Sequence, residues 1–234
     1  KLFKKDCIYE PQLAVDDRIT IGEDGAVTYP SLLRCQKICI TDNCSYHYRQ
    51  REDSMLKKTG NYHDEARRLV VLYNFLNSAL SVADGKYRLS KQVSDYLLST
   101  CIIRSGGILS SNEGVVYHPF NAELHKKRVV VCGAGTFGQQ LVARILELDW
   151  CNLVGWVDED YWEYRRCCLN VDDLDVVSEL DFDCILVGMV DSYSVSCMIE
   201  KLLDLGVEEK KILKMTPKEE EITQILSNFI YKIK

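Results

Sequence analysis

The spacing of apolar and polar positions divides the chain into three stretches. From residue 127 onward, short apolar runs alternate with helical patterns. Residues 129–132 form a β-branched run between Lys126-Lys127 and a glycine turn, and residues 153–157 form a second run; each predicts a strand. Residues 137–148 between them follow helical spacing, and a short helix is expected at 174–180. Residues 184–190 are apolar throughout and bounded by charge, as a parallel strand buried on both faces should be. Residues 196–205 predict a helix that Gly206 can cap. Residues 211–215 read as a short edge strand, and 219–234 as a last helix started by Thr216-Pro217. Its stripe of Ile222, Ile225, Leu226, Phe229, Ile230 and Ile233 is expected to dock on protein rather than on a membrane surface.

The middle stretch, residues 61–104, is helical. Leu69, Leu72, Tyr73, Leu76 and Leu80 share one helix face, which the Asp84-Gly85 turn is expected to end. Val93, Tyr96, Leu97 and Ile103 mark a second helix. Ser105-Gly106-Gly107, Ser110-Ser111-Asn112 and Pro119 concentrate turn formers in residues 105–127, which predicts a linker. The first sixty residues hold a helix at 26–33, with Pro30 kinking it or delaying its start. Residues 37–41 alternate like a strand, Asp42-Asn43 signals a turn, and 46–49 read as the second strand of a hairpin. The organisation expected is therefore residues 1–60, a helical connector at 61–125, and an α/β module at 126–234.

The glycine turn is the sharpest chemical signal. Gly133, Ala134, Gly135, Thr136, Phe137 and Gly138 read G-x-G-x-x-G between a predicted strand and a predicted helix. In a Rossmann-like module the first glycine makes the turn, the second lets a phosphate reach the backbone, and the third lets helix and strand pack closely. The N–H groups at the helix start then face an anion. Asp158 ends the second strand 20 positions after Gly138, the place of an acid that holds a ribose hydroxyl. These residues predict a small parallel Rossmann-like sheet and a bound nucleotide, either NAD(P) or a nucleotide sugar.

Composition narrows the classes. The chain has 234 residues, of which 47% are hydrophobic, enough for a packed core. Its net charge of −6, without a long basic run, argues against nucleic acid as the main partner. No apolar run is long enough for a transmembrane helix. Eleven cysteines, an odd number scattered through apolar stretches, fit reduced cytoplasmic thiols better than a disulfide framework. The chain opens Lys1-Leu2-Phe3-Lys4-Lys5, without Met or a secretory apolar region, and reads as a piece of something longer.

Lys1-Leu2-Phe3, Ile21-Gly22-Glu23-Asp24, Leu32-Leu33 and the run from Tyr46 to Met55 occur in an order that resembles the latter part of the catalytic domain of bacterial family-2 glycosyltransferases, enzymes of the GT-A fold. The resemblance covers roughly the first quarter of the chain. It implies that Glu23 and Asp24 lie where the acceptor sugar binds and that Asp24 is the catalytic base. It also implies a nucleotide-sugar donor, a glycan acceptor, and Mg²⁺ or Mn²⁺ held by an Asp-x-Asp site; no such site precedes Glu23 here. The rear stretch resembles small Rossmann-like modules attached to polysaccharide-biosynthesis enzymes. The location implied is cytoplasmic, with the inner membrane face as a peripheral alternative, and homo-oligomerisation stays open.

The chemistry expected of Asp24 is general-base removal of a proton from an acceptor hydroxyl as the anomeric carbon is attacked. The competing reading is that Glu23 and Asp24 are acids favouring a helix N-terminus. Cys35, Cys39, Cys44 and His47 have zinc-ligand types but straddle a predicted strand, so packing of small thiols is the simpler reading. Tyr87 and Lys91 imitate a dehydrogenase pair but precede the glycine turn. Cys167-Cys168 read as buried or edge thiols, and His118 and His125 as solvated. Two functions follow: the acceptor-side end of a glycosyltransferase carrying a Rossmann-like nucleotide-binding module, or a non-catalytic NAD(P)- or nucleotide-sugar-binding module with a helical arm.

Overall fold

A computed structural model describes residues 2–41, 62–87, 89–107, 109–111, 114–117 and 119–217. The chain folds as two compact units that divide between Arg104 and Ser105.

The first unit is helical. Its elements are α1 (Lys5–Leu13), α2 (Glu23–Leu33), α3 (Tyr62–Tyr87) and α4 (Leu89–Arg104). Leu69, Leu72, Leu76 and Leu80 of α3 are buried as their spacing predicts, and so are Val93 and Leu97 of α4. The expected break at Asp84-Gly85 does not occur, because α3 runs on to Tyr87. A glycine costs a helix only about 1 kcal/mol, too little to end a 26-residue helix by itself. Helix α2 starts at Glu23, three residues earlier than expected. Gly22 turns the chain into it with φ of 71°, and Pro30 sits inside without ending it. The proline removes only the bond to the carbonyl of Ala26. Tyr29 of α2 meets Tyr96 of α4 edge-on at 6.0 Å.

Residues 37–41 form no strand, and Ile38 and Ile40 are 63% and 90% exposed. Alternation makes a strand only where a partner pairs with it. The expected partner at 46–49 lies outside the described residues, as do Cys44, His47, His118 and the last helix at 219–234.

The second unit is α/β. The expected linker instead carries an antiparallel pair, β1 (Leu109–Ser111) and β2 (Gly114–Tyr117). The hydroxyl of Tyr117 donates to the carbonyl of Met215, which fastens the end of β2 beside the last strand. There follow β3 (Arg128–Cys132), α5 (Thr136–Leu148), β4 (Asn152–Asp158), α6 (Tyr161–Arg166), β5 (Asp172–Asp173), β6 (Cys184–Val187), α7 (Ser192–Asp204) and β7 (Ile212–Lys214). The five strands β3 to β7 form one all-parallel sheet in the order β5-β4-β3-β6-β7.

The sheet order explains the burial. Val129 to Cys132 on the central strand are fully buried, as are Ile185, Leu186 and Val187 beside them. Strand β6 stops at Val187 rather than at residue 190, because Gly188 leaves the ladder after one last bond to the carbonyl of Cys132, at 2.7 Å. The short helix expected at 174–180 is a 3-10 turn, Leu174–Glu179, begun by Asp173, whose side chain accepts from the N–H of Asp175. Helix α7 starts four residues before the predicted position because the Asp191 carboxylate caps it through the N–H and hydroxyl of Ser194, at 2.7 and 2.8 Å. It ends at Gly206, as expected, with φ of 84°. Among the described residues no helix is long and apolar enough to cross a membrane.

Candidate functional site

The chain fills the sheet from β3 outward to β5, then returns to the other side of β3 for β6 and β7. The two directions part between β3 and β6. In open α/β sheets, the crevice beyond the carboxyl ends of the strands at that point is where ligands bind. Residues 133–138 lie there, between the end of β3 and the start of α5.

The three glycines have different reasons to be glycine. Gly133 has φ of 107°, and a Cβ on it would stand 3.2 Å from the carbonyl oxygen of Gly188. A Cβ on Gly138 would stand 2.0 Å from the carbonyl oxygen of Gly133, so the first turn of α5 reaches the sheet only without a side chain there. Gly135 differs. Its backbone angles, φ −62° and ψ −179°, suit any L-residue, and a Cβ on it would meet nothing within 4 Å. The fold requires the first and third glycines and places no demand on the second.

The turn is held from β4. The N–H of Gly133 donates to the carbonyl of Val157 at 2.8 Å. From β4, Trp156 Nε1 donates to the carbonyl of Gly133 at 3.0 Å, and the carboxylate of Asp158 accepts from the N–H of Ala134 at 2.6 Å. Residues 156 and 158 are two apart, so both side chains lie on one face of the strand. The other oxygen of Asp158 accepts from the N–H of Asp160 at 2.8 Å, and the residue is only 7% exposed. The carboxylate assigned from the sequence to a ribose hydroxyl is thus also a brace of the glycine turn. Trp156 belongs to the Gly155-Trp156-Val157-Asp158 strand of the Rossmann-like resemblance, but no role was expected of its side chain. Its signal was its shared parity with Asp158 at the end of a strand that abuts the turn.

At the edge of this unit, Lys201 of α7 pairs with Glu159 at 2.5 Å. Burial pushes the Cys132 thiol far above its ordinary value, helped by the charges of Asp158 and Glu159, which leaves it an apolar packing group. His125 is exposed, as expected, and meets Trp150 edge-on at 4.9 Å.

In the first unit, Glu23 and Asp24 occupy the first turn of α2, and both are exposed. Negative side chains there favour the helix through its dipole. The hydroxyl of Tyr96 lies beside them, and its pKa is raised by burial, by Tyr29 and then by the two carboxylates. Cys35 and Cys39 are described, but Cys44 and His47 are not. Among the described residues no group of three or more His, Cys, Asp or Glu side chains is placed to hold a metal ion. Tyr87 closes α3 while Lys91 lies in α4, so the dehydrogenase-like pair is split between two helices. Cys167 and Cys168 are exposed, at the end of α6 rather than buried.

Comparison with known proteins finds no matching family model, no matching curated protein and no matching solved structure.

Proposed function

We propose that the second unit binds a nucleotide, NAD(P) or a nucleotide sugar, with a phosphate against residues 135–138. The observation that carries this reading is the contrast among the glycines. Two are required by the fold, while the third, in an ordinary conformation, opens onto free space at the switch point of the sheet. A bare backbone at that position suits the close approach of a phosphate to the head of α5. A ribose hydroxyl that reaches Asp158 has to share oxygens already engaged by the turn. Calorimetric titration with dinucleotides and nucleotide sugars tests the proposal. Binding that is lost in Gly135→Val supports it, and no heat from any ligand at millimolar concentration refutes it.

A second reading concerns the first unit. We infer from the resemblance of residues 1–55 that the chain is part of a glycosyltransferase, with Asp24 as the base acting on an acceptor hydroxyl. The exposure of Asp24 at the head of α2 is compatible with access by an acceptor. Donor and metal would be held by residues outside this sequence, so the chain alone transfers no sugar. The assay is nucleotide release from a panel of nucleotide sugars with glycan acceptors and Mg²⁺ or Mn²⁺. Turnover by the isolated chain, or an undiminished Asp24→Asn variant of the longer enzyme, would overturn it.

A further inference from the structure

In the first unit two thiols from separate helices meet. Cys7 lies on α1, and Cys35 lies just past the end of α2. The thiol of Cys7 donates to the carbonyl of Arg34, the residue before Cys35, at 3.8 Å. The thiol of Cys35 donates to the carbonyl of Ser31 at 3.3 Å, and Cys7 is near enough to help raise its pKa. An ion pair between Arg34 and Glu10, at 2.5 Å, holds the same turn of α1 against the end of α2. Both cysteines are partly exposed, so a small reagent can reach them, and no disulfide joins them here.

We propose that Cys7 and Cys35 are a redox-modification site, where the two thiols close to a reversible disulfide by exchange with a low-molecular-weight disulfide. Cys7 attacks as thiolate on one sulfur of the reagent, forms a mixed disulfide and releases one thiolate. Cys35 then attacks the Cys7 sulfur and displaces the second. The two protons lost by the cysteines go to the two released thiolates, the cysteine pair loses two electrons, and the reagent gains them. Burial and the neighbouring Cys7 raise the pKa of Cys35, which suits it to the second, intramolecular attack, where proximity offsets a small thiolate fraction. The bond ties α1 to the C-terminal end of α2, the end opposite Glu23 and Asp24. The proposal is independent of nucleotide binding.

The test equilibrates the whole chain in glutathione buffers of stepped ratio, with and without urea, then quenches with acid, alkylates and maps peptides by mass. In the folded chain a peptide joining Cys7 to Cys35 should be the principal internal disulfide. Its half-oxidation should fall at a ratio at least about tenfold more reducing than in urea, where the pair has no preformed proximity. Cys35→Ser should leave Cys7 trapped as a glutathione adduct. Separate adducts on Cys7 and Cys35 in the wild-type chain, or a cross-link that forms no more readily folded than unfolded, would overturn the proposal without recourse to the variant.

Discussion

The three glycines of residues 133–138 can be separated by one alanine series, because the structure assigns each a different cost. In Gly138→Ala the new Cβ lies 2.0 Å from the Gly133 oxygen, about 1.4 Å short of ordinary contact, and the obstacle is backbone. Helix α5 or the turn must shift, and overpacking of this kind costs about 1–3 kcal/mol or more. In Gly133→Ala the clash is milder, at 3.2 Å, but φ of 107° is outside the range that L-residues adopt readily, a strain of about 1–3 kcal/mol. In Gly135→Ala there is no contact and no strain. Fewer unfolded conformations stabilise by about 0.4–1 kcal/mol, while alanine is a poorer N-cap than glycine by a similar amount, so the net effect should lie within about 1 kcal/mol of zero. All three tryptophans, Trp150, Trp156 and Trp162, belong to the second unit, so their fluorescence during urea unfolding reports that unit alone. The expected order of stability is wild type and Gly135→Ala together, then Gly133→Ala and Gly138→Ala below them. In nucleotide titrations the order changes, and Gly135→Ala should bind more weakly than wild type despite its unchanged fold. A Gly135→Ala variant as unstable as Gly138→Ala would refute the steric reasoning. One that is stable and binds like wild type would remove the ligand explanation for that glycine.

Asp158→Asn should destabilise the second unit by about 1–3 kcal/mol in the same fluorescence assay, since the amide keeps one acceptor oxygen for two N–H donors, the buried one of Ala134 and the part-buried one of Asp160; an unchanged midpoint would limit Asp158 to a ligand role. Asp183 accepts from the Arg128 guanidinium and from its N–H at 3.0 and 2.8 Å, and these bonds hold its carboxyl below the usual range. A folded-state pKa below the unfolded one gives stability that is present above the unfolded value, about 3.9, and is lost as pH falls through the folded one. The gap in unfolding midpoint between wild type and Asp183→Asn should therefore narrow from pH 7 to pH 3; a constant gap would show that the charge is not responsible. On the proposed glycosyltransferase reading, Asp24→Asn in a longer enzyme that holds the donor should lower sugar transfer by about 100-fold or more with donor binding unchanged; undiminished nucleotide release would overturn that reading.

Much of the second unit was legible because its signals are local. The run from Val129 to Cys132 is buried throughout, as a central parallel strand must be, and Gly206 and the glycine turn stand where their φ values require them. Strand β5 was illegible, since two residues carry no period, and its pairing with β4 comes from tertiary placement alone. The hairpin β1-β2 hid among turn formers for the same reason. In the first unit, Glu23 and Asp24 do stand at a helix start, the competing reading of those acids, and the helix begins three residues before 26 because Gly22 turns the chain into it with positive φ, which apolar spacing does not reveal.

The partner of Asp158 shows a different limit. Position in a motif fixes which strand end a carboxylate occupies, but only packing fixes what it accepts from. Residues 156 and 158 share a strand face, and that face abuts the turn, so an indole N–H and a carboxylate together take one carbonyl and one N–H of residues 133–134. With the Gly133 N–H bonded to Val157, the turn is fixed from β4, while the Gly188 N–H holds the end of β3 at Cys132. A turn fixed in this way orders its backbone before a ligand arrives, and binding then loses less conformational entropy. In the proposed nucleotide site, the N–H groups open to an anion at the head of α5 are those of residues 135–138, because that of Ala134 is bonded to Asp158. Asp158 thus keeps the N–H of Ala134 out of the proposed anion site and leaves the phosphate over Gly135, the position the glycine motif itself gives it.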